Sequence, residues 1–237
     1  MDRIPNFTNK AELDFEKGEL ILINKPYGVT SFFAVDKIKR ALVQTGLKKP
    51  KIGHAGTLDP LATGLLIICT GRMTKKMSEY QDMEKTYSGS FTLGASTESY
   101  DLEREVIPGP DPSGITEEDL LKVKESFMGY QEIIPPAHSA VKVDGKRAYE
   151  MARKGAEVIL KPKPVHISQF DMDASKFPEI HFTIRCTKGT YIRSIAHEFG
   201  QRLGNAGYLS SLCRDAIGAL KNDQAWPLDE FLKNLIP

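Results

Sequence analysis

The sequence predicts an α+β fold, and two kinds of periodicity support this prediction. Apolar and polar residues alternate along Lys85–Leu93 and along Glu179–Cys186, as they do in strands that bury one face. Apolar residues recur at helical spacing in two other stretches, residues 31–42 and 190–203. The helices interrupt the strands irregularly, and no regular βαβ repeat is visible, which favours an α+β domain.

The remaining elements follow from shorter signals. Ser31 is predicted to cap the first helix, whose apolar positions Phe32, Val35, Ile38 and Leu42 would face the core. The other predicted elements are strands at Glu19–Asn24 and Gly64–Thr70, a loop at Ala95–Gly114, a helix opened by a capping box at Thr116 and ending near Phe127, a helix ended by Gly204, and a final helix at Trp226–Leu235.

Residues 134–163 read as an insertion. A Pro-Pro pair enters it, a strand is predicted near Val141, and a short basic helix is predicted from Lys146 to Lys154. Prolines punctuate the exit from this segment.

Charge is segregated along the chain although the net charge is only +1. Residues 37–51 contain six basic and no acidic residues, and residues 138–163 contain seven basic and three acidic ones. Residues 98–132 carry ten acidic against three basic residues. This distribution is compatible with one RNA-facing side, and ordinary solvated faces would also produce it.

The cysteines and histidines indicate neither disulfides nor a metal site. Cys69, Cys186 and Cys213 are odd in number and widely spaced, and no Cys-x-x-Cys occurs. We therefore expect a reducing, cytoplasmic location. The longest apolar run, Leu65–Cys69, is too short to span a bilayer, and the N-terminus has no signal-peptide pattern, so no membrane association is expected.

Residues 53–64 contain the clearest candidate for a catalytic side chain. They read Gly-His-Ala-Gly-Thr-Leu-Asp-Pro-Leu-Ala-Thr-Gly and place Asp59 in a glycine-punctuated turn. Pro60 disfavours helical geometry at Asp59, so the carboxylate is expected to be presented from a turn. Taken alone, this segment is equally compatible with an aspartate that caps a short helix opened by Pro60.

This dodecamer resembles the catalytic motif G-H-x-G-T-L-D-P-x-A-T-G of the TruB family of pseudouridine synthases. Further segments match family motifs in the right order, namely Lys25–Ser31 with K-P-x-G-x-T-S, Lys85–Tyr87 with K-x-Y, Pro135–Lys142 with P-P-x-x-S-A-x-K, Lys188–Arg193 with K-G-T-Y-I-R and, more weakly, Leu212–Gly218 with L-x-R-x-x-x-G. The resemblance spans about Glu19 to Gly218. It implies a pseudouridine synthase fold, a curved, mostly antiparallel mixed sheet flanked by helices.

The resemblance also implies roles for individual residues. Asp59 would be the nucleophile or stabiliser of an electron-deficient centre, Arg193 its charge partner, and Tyr87 the ring on which the extruded base stacks. His54 would occupy the space that the extruded nucleotide leaves. Tyr191 and Leu212 would close the pocket, with a core position as the alternative for each. For Tyr87, a core position and the stacking role are compatible with each other.

The other family correspondences concern support and RNA contact. Lys25 and Pro26 match a family motif that supports the active-site loop. Lys25 is therefore counted among the residues of the substrate-binding site. The 134–163 insertion would be an RNA-gripping thumb whose basic side chains contact phosphates: Lys142, Lys146, Arg147, Arg153 and Lys154. The acidic stretch Thr97–Glu103 departs from the family pattern T-D-T-x-D-x-x-G, which leaves any RNA contact there open.

The resemblance thus predicts one catalytic domain over residues 1–237, without the C-terminal PUA-type domain that many bacterial relatives carry. The expected reaction is isomerisation of uridine 55 in the tRNA T-loop, without cofactor or metal, by a monomer that needs no protein partner. Two alternatives are kept. One is the same chemistry on another RNA such as rRNA, and the other is a non-catalytic RNA-binding or RNA-refolding module.

Overall fold

A computed structural model describes residues 13–139, 141–143, 145–152 and 158–235. The chain divides into two compact units. The first contains Met1–Thr86 and Cys213–Pro237, and the second contains Tyr87–Leu212. Two strands, β4 (Lys85–Leu93) and β12 (Gly207–Ile217), include the positions at which the chain passes from one unit to the other.

The first unit is built around a mixed sheet in which β12 contributes its last residues. Its other elements are β1 (Leu20–Lys25), α1 (Ser31–Gln44), β2 (Ile52–His54), β3 (Thr63–Thr70), a 3-10 helix at Gly71–Lys76, α2 (Met77–Asp82), β13 (Leu220–Lys221), a 3-10 helix at Asn222–Gln224, β14 (Trp226–Pro227) and α6 (Leu228–Leu235). The strand order is β14-β1-β3-β12, with β2 on β3 and β13 on β12. β1 runs antiparallel to β3, and β3 runs parallel to β12.

The apolar runs of β1 and β3 are explained by burial on both faces. Ile21 and Ile23 pack with α1 and α6 on one face, whereas Leu20 and Leu22 pack on the other face in a cluster that includes Tyr80 of α2. Each such side chain contributes roughly 1.5–3 kcal/mol by leaving water. A strand covered on both sides reads as a continuous apolar run rather than an alternating one.

The second unit contains the long antiparallel strands. Its elements besides β4 and β12 are β5 (Ala95–Ser96), β6 (Ile107–Pro108), α3 (Glu117–Ser126), β7 (Gly129–Ile133), β8 (Lys142–Val143), β9 (Lys146–Arg147), α4 (Ala148–Ala152), β10 (Lys163–Lys176), β11 (Glu179–Cys186) and α5 (Ile192–Arg202). The strand order is β12-β4-β11-β10-β7. Its core includes Phe91, Phe182 and Phe199, the last from α5.

The predicted strands at Gly64–Thr70, Lys85–Leu93 and Glu179–Cys186 are confirmed, as is the capping box of α3 between Thr116 and Asp119. β10 was not predicted, because Pro164 and several charged residues hide a strand that is exposed for much of its length. The last helix begins at Leu228 rather than Trp226, since Trp226 and Pro227 pair with β1.

The predictions for α1 were partly wrong. Thr30, not Ser31, is the N-cap, because its hydroxyl accepts the Phe33 amide hydrogen bond at 3.0 Å. Ile38 and Leu42 are buried as expected, but Phe32 is 76% exposed and Ala34 takes the core position. The apolar period alone could not distinguish these two registers, which differ by a rotation of the helix.

The 134–163 insertion is described in part. β8 and β9 pair as a short hairpin where a strand near Val141 was expected, and the helix spans Ala148–Ala152 within the predicted Lys146–Lys154. Arg153 and Lys154 lie outside the described residues. Among the described residues, no helix combines the length and apolar character needed to cross a lipid bilayer.

Candidate active site

Asp59 lies in the first unit, in the loop that joins β2 to β3, and its side chain is half-buried. No helix begins at Pro60, because Pro60 and Leu61 form a turn and β3 starts at Thr63, so the turn presentation of Asp59 is confirmed over the helix-cap alternative. Gly64, the second residue of β3, has φ +99°, and a Cβ there would overlap the Arg214 carbonyl oxygen. Only glycine permits this close approach.

Lys25 fastens the Asp59 loop to the turn that follows β1. Its side chain is fully buried, and Nζ donates to the carbonyls of Pro26 at 2.9 Å, Val29 at 2.6 Å and Pro60 at 3.3 Å. Burial lowers the pKa of Lys25 to about 8, while the nearby Asp59 charge acts in the opposite direction. The ammonium group therefore supports the loop backbone, which agrees with the role of its motif.

Two further buried side chains hold the same loop, and neither was assigned to it from the sequence. Arg214 is 1% exposed, and it donates through Nε to the Leu65 carbonyl at 2.8 Å and through Nη2 to the Gly56 carbonyl at 3.1 Å. Ser31 Oγ donates to the Leu58 carbonyl at 3.0 Å and accepts the Leu58 amide at 2.8 Å. The weak match at Leu212–Gly218 was the one sequence signal for Arg214.

The Asp59 loop is therefore fixed at Gly56, Leu58 and Pro60, on both sides of the carboxylate. Each of these hydrogen bonds joins a buried side chain to backbone, and the groups would be costly to leave unsatisfied. This rigidity satisfies a requirement for catalysis, because a reacting carboxylate must be held in a productive position.

His54 ends β2, five residues before Asp59, and is partly buried. Burial lowers the pKa of His54, as does the Arg214 charge to a smaller extent, although a hydrogen bond with the Gly56 backbone opposes them. The imidazole is therefore neutral at physiological pH. Its Nδ1 is buried and lacks a hydrogen-bond partner within the described part of the chain.

Arg193 lies in the second unit, in the first turn of α5, and is only 4% exposed. It donates to the Ser99 carbonyl through Nη1 and to the His138 carbonyl through Nη2, both at 3.1 Å. Its Nε lies 3.6 Å from a carboxylate oxygen of Asp101, which is itself buried. Arg193 is therefore an interior arginine and not a surface residue.

The loop that carries Asp101 is attached to α5 at a second point. Tyr100 has φ +64°, a left-handed conformation that is uncommon for a tyrosine, and its ring stacks on His197 with centroids 3.9 Å apart and planes inclined by 8°. His197 follows Arg193 by one helical turn. The sequence marked this acidic loop only as a departure from the family pattern, and a role for Asp101 was missed.

Three of the remaining predicted site residues in the second unit are partly buried, namely Tyr87, Tyr191 and Leu212. Tyr87 in β4 and Leu212 in β12 both pack against the core of this unit, so the core role proposed as an alternative is present for both. Tyr191 is the N-cap residue of α5. Lys142 lies in β8, and Lys146 and Arg147 lie in β9.

Among the described residues, no three His, Cys, Asp or Glu side chains are grouped so that they could hold a metal ion. Within its own unit, the structure brings Asp59 together with Lys25, His54 and Arg214. In the other unit it brings Arg193 together with Asp101. The pairing of Asp59 with Arg193 joins residues of different units and stays a prediction.

Comparisons with known proteins agree on one family. Residues 41–192 match the TruB family pseudouridylate synthase (N terminal domain). The tRNA pseudouridine synthase B of Bacteroides fragilis is 45% identical over 213 residues, which cover 90% of this chain and 91% of that protein. The protein of the same name from Chlorobaculum tepidum is 45% identical over 221 residues, 93% of this chain and 92% of that one.

A solved structure of a Cbf5-Nop10-Gar1 complex contains a chain with a similar fold. The TM-score is 0.70 at 25% identity, and the match covers 92% of this chain but 54% of that one. An archaeal box H/ACA sRNP Nop10-Cbf5 complex gives a TM-score of 0.66 at 22% identity, which supports the fold alone. The α+β pseudouridine synthase fold is thereby confirmed, and the chain belongs to the TruB family of pseudouridylate synthases.

Proposed function

We propose that this protein isomerises uridine to pseudouridine in tRNA, at position 55 of the T-loop. The observation that carries the proposal is the half-buried Asp59, held in the family's catalytic motif by Lys25, Ser31 and Arg214. The tRNA substrate is inferred from the relatives named tRNA pseudouridine synthase B, which match over about nine-tenths of both chains.

The reaction exchanges one bond to the sugar for another. The N1–C1′ bond breaks, the base turns over, a C5–C1′ bond forms, the C5 hydrogen leaves as a proton, and N1 gains a proton. No electrons are gained or lost overall, so the chemistry requires no redox cofactor. Asp59 would supply the nucleophilic or stabilising carboxylate, acting at C1′, at C6 of the base, or in formation of a glycal.

The other residues are assigned from the family motifs and supported by their positions. Arg193 would be the charge partner of Asp59. The ion pair between Arg193 and Asp101 would limit the orientation of the Arg193 guanidinium group. Tyr87 would stack on the extruded uracil, and the neutral His54 would fill the space that this base leaves. Tyr191 and Leu212 would complete the pocket walls.

RNA contacts outside the pocket are proposed for the thumb. Lys142, Lys146, Arg147, Arg153 and Lys154 would contact phosphates, which position an RNA without reading its sequence. The protein would act as a monomer on a local stem-loop, in the cytoplasm. The free cysteines Cys69, Cys186 and Cys213 are in accord with a reducing compartment.

The test is tritium release from tRNA transcribed with [5-³H]uridine. Wild-type protein should release one equivalent from tRNA, and none from a transcript that carries cytidine at position 55. An isolated T-arm hairpin should be modified at a comparable rate. Modification of rRNA fragments without modification of either tRNA substrate would assign the chemistry to another RNA, and no release from any of them would refute the proposal.

Asp59→Asn should lower kcat by at least about a thousandfold, because the amide is a poor nucleophile, yet leave tRNA binding nearly unchanged. The matched control is Asp223→Asn, in an exposed position of the same unit. Activity of Asp59→Asn within tenfold of wild type would remove Asp59 from the proposed role.

A further inference from the structure

Three exposed aromatic rings lie at the start of α1 and in the turn before it. Tyr27 is 63% exposed, Phe32 is 76% exposed and Phe33 is 45% exposed. Single exposed apolar side chains are ordinary, but several large rings within seven residues indicate a surface that contacts something. The fold does not need them in the core, because Ala34, Ile38, Ala41 and Leu42 already cover the buried face of α1.

The residues next to these rings form hydrogen bonds with the Asp59 loop. The Gly28 amide, next to Tyr27, donates to the Pro60 carbonyl at 2.9 Å. Ser31, next to Phe32, exchanges two hydrogen bonds with Leu58. Pro60 and Leu58 are the two neighbours of Asp59 in the sequence, so the backbone segments that carry the rings are fastened on both sides of the carboxylate.

The charge beside the rings is positive. Lys37 Nζ lies 5.2 Å from the centre of the Phe33 ring. Residues 37–51 carry six basic side chains and no acidic one, and all six are exposed: Lys37, Lys39, Arg40, Lys48, Lys49 and Lys51. Asp36 on the same helix forms an ion pair with Arg40 at 2.9 Å. Lys51 leads directly into β2, which ends at His54.

Rings combined with cations fit one class of partner better than others. Unpaired nucleic acid presents flat bases to stack on rings and phosphates to pair with lysines, whereas an apolar protein surface would not need the excess of basic charge. Duplex RNA keeps its bases stacked on one another and has no free base faces to offer.

We propose that Tyr27, Phe32, Phe33 and Lys37 form a stacking platform for unpaired nucleotides of the RNA substrate that flank the target uridine. The inference rests on the proposed function, because it assigns the platform to the same RNA that brings the target base to Asp59. The rings stack on bases, and the basic residues of 37–51 neutralise the adjoining phosphates. The residues of this platform belong to the first unit, whereas the proposed thumb at residues 134–163 belongs to the second.

The test measures binding and turnover of the T-arm hairpin by Phe32→Ala, Phe33→Ala and the double variant. Loss of a stacked base costs about 1–3 kcal/mol, which corresponds to about a 5- to 150-fold rise in Kd and KM, while kcat stays within about twofold. Val43→Ala is the matched control, since Val43 is 50% exposed on the same helix but lies near its other end. Its Kd should equal that of wild type.

A second variant tests stacking directly and excludes a folding defect. Phe32→Trp should keep full affinity, and because the chain contains a single tryptophan, Trp226, the added fluorescence is easily separated. Single-stranded oligouridylate should quench this added signal, and a duplex of equal length should not. Since the rings are exposed, melting temperatures of all variants should stay within about 2 °C of wild type.

The outcomes separate the platform from the proposed function. Active wild type with unchanged Kd and KM in the double alanine variant overturns the platform alone. An equal loss of duplex and single-strand binding also overturns it, because stacking would then not be the cause. Unchanged RNA binding together with a change in oligomeric state would assign the rings to a protein contact. Wild type that binds oligouridylate through these rings but releases no tritium would refute the proposed function alone.

Discussion

The Asp59 loop in the first unit and the Asp101 loop in the second are both held by a buried arginine, in different ways. Arg214 donates to the carbonyls of Leu65 and Gly56, so it shapes the first loop through its backbone. Arg193 also faces the side chain of Asp101, so in the second loop a carboxylate is part of the support. Arg214 therefore acts on its loop through the backbone, whereas Arg193 both holds its loop at the Ser99 carbonyl and is oriented by the Asp101 carboxylate.

This difference implies that substitutions of Arg214 and of Asp101 should change different measured quantities. Removal of Arg214 leaves buried carbonyls unsatisfied and should appear mainly as lost stability. Removal of the Asp101 charge leaves the backbone in place and alters the setting of Arg193, so it should appear mainly in turnover.

Arg214→Met should lower the free energy of unfolding by about 2–4 kcal/mol, because the carbonyls of Gly56 and Leu65 lose their donors within the interior. Urea unfolding measures this loss. Arg72→Met, at an exposed arginine of the same unit, should change stability by less than about 0.5 kcal/mol. Equal stability of the two variants would contradict a supporting role for Arg214.

Asp101→Asn should lower kcat by about 10- to 100-fold and leave KM within about threefold. The reason is that Arg193 stays buried but no longer faces the negative charge of Asp101. Asparagine retains the oxygen that accepts the Glu103 amide, so the loop turn should persist. The control is Glu98→Gln in the same loop, whose side chain is 69% exposed. A kcat as high as that of the control would show that the ion pair does not act on catalysis.

Substitutions at Tyr100 separate the aromatic stack from the backbone conformation. Phenylalanine keeps the ring on His197 and should retain wild-type kcat. Glycine removes the ring but adopts φ +64° without strain, so it should reduce kcat a few-fold. Alanine lacks the ring and is strained at this φ, so the unfolding free energy of Tyr100→Ala should be lower than that of Tyr100→Gly by about 1 kcal/mol. Thermal unfolding and tritium release report the two effects, and identical kcat for all three variants would show that the stack is dispensable.

Lys25 should make the stability of the protein depend on pH. Its pKa in the folded protein is about 8, below the ordinary 10.5, so between these values the unfolded chain binds more protons. Stability must then rise with pH across this window. The unfolding free energy of wild type minus that of Lys25→Met should increase from about pH 8 to 10.5, whereas the same difference for the exposed Lys233→Met should not. A flat difference for Lys25 would contradict the lowered pKa.

Much of the fold could be predicted because local patterns and burial agree. β4 and β11 alternate since one face is covered, and β3 is apolar throughout since both faces are covered. β10 could not be recognised, because its exposed positions carry polar and charged residues and its start contains a proline. The register of α1 was wrong at Phe32, where an exposed ring resembles a core residue in sequence.

Candidate site residues can be proposed from the sequence where a motif is continuous, as at Asp59 and Arg193, and their catalytic roles stay predictions. The buried groups that support them could not be predicted, because they come from distant segments. Arg214 is 158 residues away from Gly56 along the chain, and Asp101 is 92 positions before Arg193. No local periodicity reports such contacts, because they depend on how strands pair.

The parallel pairing of β3 with β12 has a consequence for how this protein comes into being. Thr63 and Gly64 pair with Cys213 and Arg214, so the loop that carries Asp59 is completed by residues synthesised long after it. A growing chain that has released Asp59 from the ribosome still lacks the arginine that sets this loop. The complete set of contacts around the Asp59 loop therefore cannot form until Arg214 has been synthesised and has paired with β3.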